Sequence, residues 1–186
     1  LNDGKNELNR YLKNKKFKKI LILSGKNSYY KSGASIILDS ITKDKEIKFF
    51  FKKNYIPDIK ELKIIINLTD KFKPDLILAV GGGAVIDYAK IVSCTDYNEI
   101  SFKKIFLGKV NHTKKYELCV IPTTAGSGAE VTSNSVIYIN KKKFSFESLK
   151  LLPDHFILIP DLVFGLKKTI KASSGFDAIS QSIESI

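Results

Sequence analysis

The sequence predicts an α/β fold, an open parallel sheet with helices on both faces. Three observations predict it: short buried β-branched runs, amphipathic segments between these runs, and glycine- or hydroxyl-rich loops where runs end. Parallel neighbours need a crossover connection, so alternation of strand and helix favours parallel pairing. The 186 residues, of which 44% are hydrophobic, are enough for one such core.

Four apolar runs are predicted as buried strands because they are short and are bounded by charged or turn-forming residues. In chain order they are KKILILS (18–24), IKFFFK (47–52), DLILAV (75–80) and ELCVIP (117–122). Helical periodicity separates them. The predicted helices are SGASIILDSITK (32–43), DIKELKIIINLTDKF (58–72) and AVIDYAKIVS (84–93).

The pattern changes after Gly128. Two alternating runs around NKKK predict a hairpin over 133–146, and FILIPD (156–161) predicts a further short strand. SSGFDAISQSIESI (173–186) predicts a helix capped by Ser173 or Ser174. This helix has only about three turns before residue 186. We therefore expect an α/β domain over 1–165 and the beginning of a truncated helical domain over 166–186.

Charge and hydropathy restrict the partners. The net charge is +12, which raises the question of nucleic-acid binding, but Arg10 is the only arginine. Arginine is favoured for bidentate phosphate and base contacts, and aromatic residues do not interleave with the lysines, so we expect no nucleic-acid partner. No apolar run approaches the roughly 20 residues of a membrane span, and the N-terminus lacks a signal-peptide core. We expect no membrane partner and a cytoplasmic location.

The stretch VGGGAVIDYAK (80–90) holds three consecutive glycines between a predicted strand and a predicted helix. Such a junction offers free backbone N–H groups at the positive end of a helix, where phosphates bind. One glycine would satisfy a tight turn, so three favour phosphate binding. Gly81 and Gly83 fit the first two positions of G-x-G-x-x-G, but Ile86 occupies the third, and no Gly-Lys-Ser/Thr closes a Walker loop. Spacing alone predicts a diphosphate site of unspecified type.

Two further motifs follow. IPTTAGSGAEVTSNSVI (121–137) is rich in hydroxyl side chains and also follows a strand, so we expect it to line the same crevice as the glycines rather than to be a simple polar loop. In SGFDAISQSIES, Asp177 and Gln181 share a helix face. They could hold a metal or a substrate hydroxyl, although the residues alone favour a solvated face.

Together these motifs resemble the iron-containing (group III) alcohol dehydrogenase family, relatives of dehydroquinate synthase and glycerol dehydrogenase. GGGAVIDYAK is similar to the family's GGGS-x-x-D-x-AK, PTTAGSGAEVT to PTTAGTGSEVT, and GFDAISQSIES to G-x-DAL-x-H-x-x-E. The resemblance implies an N-terminal NAD(P)-binding domain like that of dehydroquinate synthase, a helical domain that binds Fe or Zn, and a homodimer. The implied reaction interconverts a small alcohol and an aldehyde by hydride transfer, with the metal assisting.

The resemblance also assigns site residues but no catalytic residue. It implies pyrophosphate contacts, an acid beside the cofactor, hydroxyls along the adenosine and nicotinamide side, contacts to the nicotinamide half, and a first metal ligand. By this resemblance, Gly82, Gly83 and Ala84 contact the pyrophosphate, and Asp87 is the acid beside the cofactor. Thr123, Thr124, Ser127 and Gly128 border the adenosine and nicotinamide side. Asn134 and Lys143 contact the nicotinamide half, and Asp177 is the first metal ligand.

Two departures from the family pattern qualify the assignment. Gly25, with Lys26 and Ser28 beside it, stands where NAD-preferring members often carry an acid. Because a lysine attracts a 2′-phosphate and an acid repels it, we expect NADP(H) to be tolerated or preferred. Gln181 stands at the usual histidine ligand, and an amide is a poorer ligand for Fe or Zn. The metal site is then weakened, compensated by other ligands, or lost.

The form DA-x-x-QxIES looks more like the phosphonoacetaldehyde reductase branch, which makes a small anionic aldehyde a plausible substrate. Two alternatives stay open: a lyase of the dehydroquinate synthase type, which uses NAD without net redox change, and a cofactor-binding fragment without catalysis. If the protein is a dehydrogenase, we expect this chain to bind cofactor without turning over substrate.

Overall fold

Seven strands are found in the computed structural model, which describes residues 3–185 apart from the side chain of Phe102. They are β1 (Lys19–Gly25), β2 (Glu46–Lys52), β3 (Leu76–Gly81), β4 (Glu117–Pro122), β5 (Asn134–Ile139), β6 (Lys142–Glu147) and β7 (His155–Phe156). Five of them form a parallel sheet in the order β2-β1-β3-β4-β7, whereas β5 and β6 form a separate antiparallel hairpin.

The α-helices of the described residues vary from four to seventeen residues. They are α1 (Asp3–Asn14), α2 (Lys26–Lys31), α3 (Ala34–Ile41), α4 (Ile59–Phe72), α5 (Gly83–Cys94), α6 (Phe102–Phe106), α7 (Asp161–Phe164) and α8 (Lys168–Glu184). Short 3₁₀ turns lie at Tyr97–Glu99 and Leu149–Leu151. Within this described part, no helix is long and apolar enough to cross a membrane.

Strand β3 shows how the sheet divides the core. Ile77 and Ala79 pack with residues of α4 and α5 on one face, and Leu76, Leu78 and Val80 pack with residues of α1 and α3 on the other. All five side chains are buried, because a central parallel strand is covered on both faces. The predicted open parallel sheet with helices on both faces is therefore confirmed.

Helix α1 lies across the face beside β7. A Cβ added to Gly4 would clash with the carbonyl oxygen of Leu158, so the helix backbone touches that segment directly. The Tyr11 hydroxyl donates to Glu117 at 2.8 Å, and its ring stacks on His155 at 4.7 Å between centroids. These contacts join the first residues of the chain to residues more than one hundred positions later.

Two boundary predictions are wrong. The predicted strand over 156–161 shrinks to β7, because the chain leaves the sheet after Phe156 and packs beneath α1 before it reaches α7. The predicted cap at Ser173 or Ser174 is also wrong, since α8 begins at Lys168 and both serines lie inside it. Each residue of α8 is at least partly exposed, and its apolar side chains at Phe176 and Ile179 face solvent.

Candidate functional site

The order of the strands reverses between β1 and β3. From β1 the chain moves outwards to β2 and then returns to the other side of β1 as β3, which makes this pair the switch point of the sheet. Ser24 lies opposite Val80, and Gly81 lies opposite Pro122, so β1, β3 and β4 end at the same edge. Open parallel sheets bind ligands at the carboxyl ends of strands at such a point.

The glycine loop lies at this edge. Strand β3 ends at Gly81, and α5 begins at Gly83 with Gly82 as its N-cap. Gly82 has no side-chain oxygen to occupy the first N–H groups of α5, which also have no acceptor within the helix. These groups and the helix dipole favour an anion in front of them.

The three glycines have different roles. A Cβ on Gly81 would lie 2.6 Å from Cγ2 of Val85, so helix packing requires this glycine. A Cβ on Gly82 would lie 3.0 Å from Oγ1 of Thr124, and one on Gly83 would lie 3.1 Å from Oγ of Ser127. Gly82 and Gly83 therefore leave a narrow cradle between the glycine loop and the hydroxyl-rich loop after β4.

The structure thus brings the two loops together, as the sequence suggested. Thr124 and Ser127 lie within reach of the glycines, whereas Thr123 is buried and its N–H donates to Gly81 O at 3.0 Å. Thr123 holds the loops together through its backbone, and its hydroxyl lies away from solvent. Gly128 adopts a positive φ of 57°, which a glycine accepts without strain.

Helix α8 also touches this loop. A Cβ on Gly126 would lie 2.7 Å from the carbonyl oxygen of Ser174, so the loop and the helix meet backbone to backbone. The contact places the first half of α8 beside the cradle formed by the glycine and hydroxyl loops. Any side chain larger than hydrogen at residue 126 would separate them.

Asp87 lies one turn into α5, after Ala84. Burial raises the pKa of its carboxyl to about 6, and the charges of Lys90 and Lys143 and hydrogen bonds from Val136 N–H and Ser135 oppose that shift. The Ser135 hydroxyl also donates to the backbone oxygen of Asp87 at 2.9 Å. The acid predicted from the motif therefore lies between α5 and the hairpin of β5 and β6.

Asn134 and Lys143 belong to that hairpin, at the start of β5 and near the start of β6. Both are exposed. Sequence analysis missed the residue that ties Asn134 to α5, which is the buried Lys90. A lysine in an amphipathic helix is ordinarily taken as solvated, and only its position between Ala89 and Ile91 could have indicated burial.

Gly25, at the end of β1, is followed by exposed Lys26 and half-buried Ser28. A cavity of about 220 Å³ opens beside them, and Ser28, Lys31 and Lys167 contribute to its wall. Three lysines therefore surround the end of β1, two of them at the cavity itself. Sequence analysis found Lys26 but missed Lys31 and Lys167, because neither residue belongs to a motif that resembles the family.

A second cavity, of about 340 Å³, lies on the other side of the hydroxyl loop. Its wall is mainly apolar and includes Thr124, Ala125, Pro160, Val163 and Phe164. The apolar wall comes from α7 and the residues before it, which sequence analysis did not assign to the site. A flat aromatic group fits the chemistry of such a wall.

Asp177 and Gln181 lie one turn apart on the exposed face of α8. The Gln181 amide donates to the Asp177 carboxylate at 3.1 Å, so the pair is satisfied by itself. Within residues 3–185, no group of three or more His, Cys, Asp or Glu side chains could hold a metal ion. Two oxygen donors do not fit the ligand sets of Fe or Zn, and we derive no step through a metal.

Comparison with known proteins now decides the family. Residues 2–160 match the iron-containing alcohol dehydrogenase family. The chain belongs to this family. The family resemblance predicted from the three motifs is therefore confirmed.

Several dehydrogenases are similar to it. An alcohol dehydrogenase of Thermococcus barophilus is 34% identical over 69% of this chain and 36% of its own length. A 4-hydroxybutyrate dehydrogenase of Clostridium kluyveri is 38% identical over 65% of this chain and 32% of its own length. The structure of an NADH-dependent butanol dehydrogenase of Thermotoga maritima has a TM-score of 0.81 and 28% identity, over 95% of this chain and 45% of that one. The chain therefore spans about a third of these curated relatives and less than half of the solved structure.

Proposed function

We propose that this chain is the nicotinamide-dinucleotide-binding part of an enzyme that interconverts a small alcohol and an aldehyde. The observation that carries the proposal is the cradle between two loops at the switch point of the sheet. There the backbone of Gly82 and Gly83 faces the hydroxyls of Thr124 and Ser127 across a gap that a single Cβ would fill. Membership of the iron-containing alcohol dehydrogenase family supports the reaction class.

In this proposal the N–H groups of Gly83 and Ala84 donate to the cofactor pyrophosphate. Thr124 and Ser127 donate their hydroxyls to the same group from the opposite wall. Asp87, Asn134 and Lys143 border the nicotinamide half, beyond the first turn of α5. The bound nicotinamide would supply or accept the hydride.

The adenosine end lies at the end of β1, where Gly25 stands in place of the acid that would repel a 2′-phosphate. We propose that the crevice accepts NADPH, because Lys31 and Lys167 lie at the cavity beside Ser28. Lys26 adds a third positive charge at the same edge. A kcat/KM for NADH at least ten times that for NADPH would contradict this assignment.

The metal and the rest of the enzyme are separate proposals. We propose that α8 is the first helix of a helical domain over residues 166 onwards, because Phe176, Ile179 and Ile183 form an exposed apolar stripe at helical spacing. A bound Fe or Zn would use Asp177 together with ligands other than those of residues 3–185. Stoichiometric Fe or Zn in the purified enzyme tests this directly.

The substrate is proposed to be a small anionic aldehyde. Support comes from the net charge of +12 and from the relative whose name gives 4-hydroxybutyrate, a hydroxy acid anion, as its substrate. The enzyme is proposed to be cytoplasmic and homodimeric. Sedimentation equilibrium of the purified enzyme tests the dimer, and equal kcat/KM for neutral and anionic aldehydes would contradict the substrate.

Cofactor binding is the direct test. NADH or NADPH fluorescence should rise and shift to shorter wavelength on addition of the 186-residue chain, since the nicotinamide leaves water. A chain that is folded by circular dichroism but binds neither dinucleotide nor ADP would overturn the proposal. In the enzyme, aldehyde-dependent consumption of NAD(P)H separates the dehydrogenase from a lyase that recycles its NAD.

A further inference from the structure

Lys90 is wholly buried in the middle of the cofactor helix, with no exposed surface. Its ammonium donates to the carbonyl oxygen of Thr132 at 2.7 Å, to the hydroxyl of Thr132 at 3.0 Å and to the carbonyl oxygen of Asn134 at 2.9 Å. Three donors therefore meet three acceptors in the segment that leads into β5. A buried ammonium is tolerated only when it is satisfied in this way.

A second tie lies one turn earlier on the same helix. The buried hydroxyl of Ser135 donates to the backbone oxygen of Asp87 at 2.9 Å. Residues 132–135 are therefore fixed to α5 at two successive turns. The ties run from side chain to backbone, so they determine the path of the main chain before the hairpin.

The hairpin depends on such ties because it belongs to a different sheet. Strands β5 and β6 form a two-stranded sheet of their own, and apart from one isolated bridge between Tyr138 and Asp58 they have no ladder with other described strands. At its far end the hairpin is held by an N–H of Tyr138 that donates to Pro57 O at 2.8 Å and by the buried side chain of Ile137. At the end near Asn134, the bonds of Lys90 set its position.

We propose that Lys90 is a positioning residue that latches residues 132–134 onto the cofactor helix and so sets where Asn134 and Lys143 stand relative to the glycine loop. This inference rests on the proposed cofactor function and deepens it. The latch concerns the nicotinamide half of the site alone. The pyrophosphate cradle and the end of β1 are built by the main sheet and do not include the latch.

The chemistry of the segment explains why a lysine serves here. All three acceptors are oxygens that converge on one point, and an apolar residue of the same length would leave each without a donor. Asp87 and Glu130 favour the charged ammonium, whereas burial disfavours it and lowers the pKa of Lys90 to about 8. The charged ammonium supplies the three N–H donors that match these three oxygens.

Lys90→Met tests the latch, because methionine keeps the length of the side chain and removes its donors. Affinity for the preferred dinucleotide, NADH or NADPH, and for ADP is measured on the 186-residue chain. We expect dinucleotide affinity to fall at least tenfold and ADP affinity to change less than twofold. We also expect the blue shift of bound nicotinamide fluorescence to shrink. A purely structural role would lower both affinities together or leave both unchanged.

A milder variant keeps the test decisive if Lys90→Met does not fold. Thr132→Val removes one of the three acceptors, and we expect a loss of about threefold for the dinucleotide and none for ADP. Thr69→Val is the control, since it is the same substitution at a buried threonine whose hydroxyl bonds within α4, to Ile65 O at 2.8 Å. Equal affinities in Thr132→Val and Thr69→Val would overturn the latch.

Failure of the proposed function and failure of the latch give different results. A wild-type chain that is folded but binds neither dinucleotide nor ADP overturns the proposed function, and the latch with it. A wild-type chain that binds both, together with a folded Lys90→Met that keeps the wild-type ratio of the two affinities, overturns the latch alone.

Discussion

The hydroxyl of Tyr88 donates a 2.9 Å hydrogen bond to the carboxylate of Glu61, and both side chains are buried. Tyr88 belongs to α5 and Glu61 to α4, so the bond joins these two neighbouring helices. The same hydroxyl accepts from Asp58 N–H at 2.6 Å, and Glu61 accepts from Lys53 N–H at 2.6 Å. The pair thereby fixes the segment between β2 and α4.

Tyr88→Phe should lower the free energy of unfolding by about 1–3 kcal/mol, because it leaves the part-buried Asp58 N–H without this acceptor and removes a donor from the buried Glu61. Urea denaturation measures the change. Tyr116→Phe is the control, since its hydroxyl makes only a long 3.4 Å bond to Asp70. A loss in Tyr88→Phe no greater than in Tyr116→Phe would show that the buried pair adds nothing.

Gly83→Val should abolish measurable NAD(P)H binding and leave the sheet folded. A Cβ there already lies 3.1 Å from Oγ of Ser127, so the two methyl groups of valine fill the cradle. Fluorescence titration and far-UV circular dichroism report binding and fold. Gly175→Val is the matched control, because a Cβ on Gly175 meets nothing within 4 Å. Wild-type affinity in Gly83→Val would place the pyrophosphate elsewhere.

Gly81→Ala should instead affect stability. Its Cβ would lie 2.6 Å from Cγ2 of the buried Val85, and such overpacking costs about 1–3 kcal/mol. Val85→Ala in the same chain should restore part of the loss, with a coupling of roughly 1 kcal/mol between the two sites. Denaturation of the two single variants and the double variant gives this coupling. If the stability losses of the two single variants simply added in the double variant, the contact with Val85 would not be the cause of the loss in Gly81→Ala.

Asp87→Asn should change how stability depends on pH. The pKa of Asp87 is about 6 in the folded chain against an ordinary 3.8, so the folded state holds a proton that the unfolded state has lost between these pH values. The stability of the wild type relative to Asp87→Asn should therefore fall as pH rises from about 4 to 6 and stay level above that. Urea midpoints across this range measure it.

Asp75→Asn provides a control with the opposite sign. The N–H groups of Lys19 and Lys18 donate to Asp75 and lower its pKa. The contribution of Asp75 to the free energy of unfolding is therefore present at neutral pH and is lost as pH falls. If the stability of the wild type and that of Asp87→Asn changed in parallel with pH, the burial of Asp87 would have no effect on its titration.

Lys31→Glu combined with Lys167→Glu should weaken NADPH binding more than NADH binding, by roughly tenfold in the ratio of affinities, which is about 1.4 kcal/mol. The reason is repulsion of the 2′-phosphate at the cavity beside Ser28. Lys109→Glu combined with Lys150→Glu, at two exposed residues outside both cavities, controls for net charge. An unchanged ratio of NADPH to NADH affinity would show that the cavity does not discriminate between the two cofactors.

The central strands could be predicted because burial on both faces of the sheet requires continuous apolar runs, as in β1 and β3. Helix α1 could not, since only Leu8 and Leu12 are buried in it and its other residues are polar or half-exposed. The start of α8 was missed because Lys167 provides no side-chain cap.

The site was predictable to a similar extent. Two loops at neighbouring strand ends must meet, so the approach of Gly82 to Thr124 followed from the fold class. Strand order was not readable from the sequence, and the switch point between β1 and β3 came only from the structure. Lys90 escaped detection because two of its three acceptors are backbone oxygens, which leave no mark in the pattern of side chains.

The contact between Gly4 and Leu158 has a consequence for the order of folding. Helix α1 is synthesised before its anchors at Glu117, His155 and Leu158, which leave the ribosome more than one hundred residues later. Its docking therefore closes a very long loop, and such contacts form late because their entropic cost precedes their stabilisation. During translation, the strands that bear both ligand loops emerge while the face reserved for α1 is still uncovered.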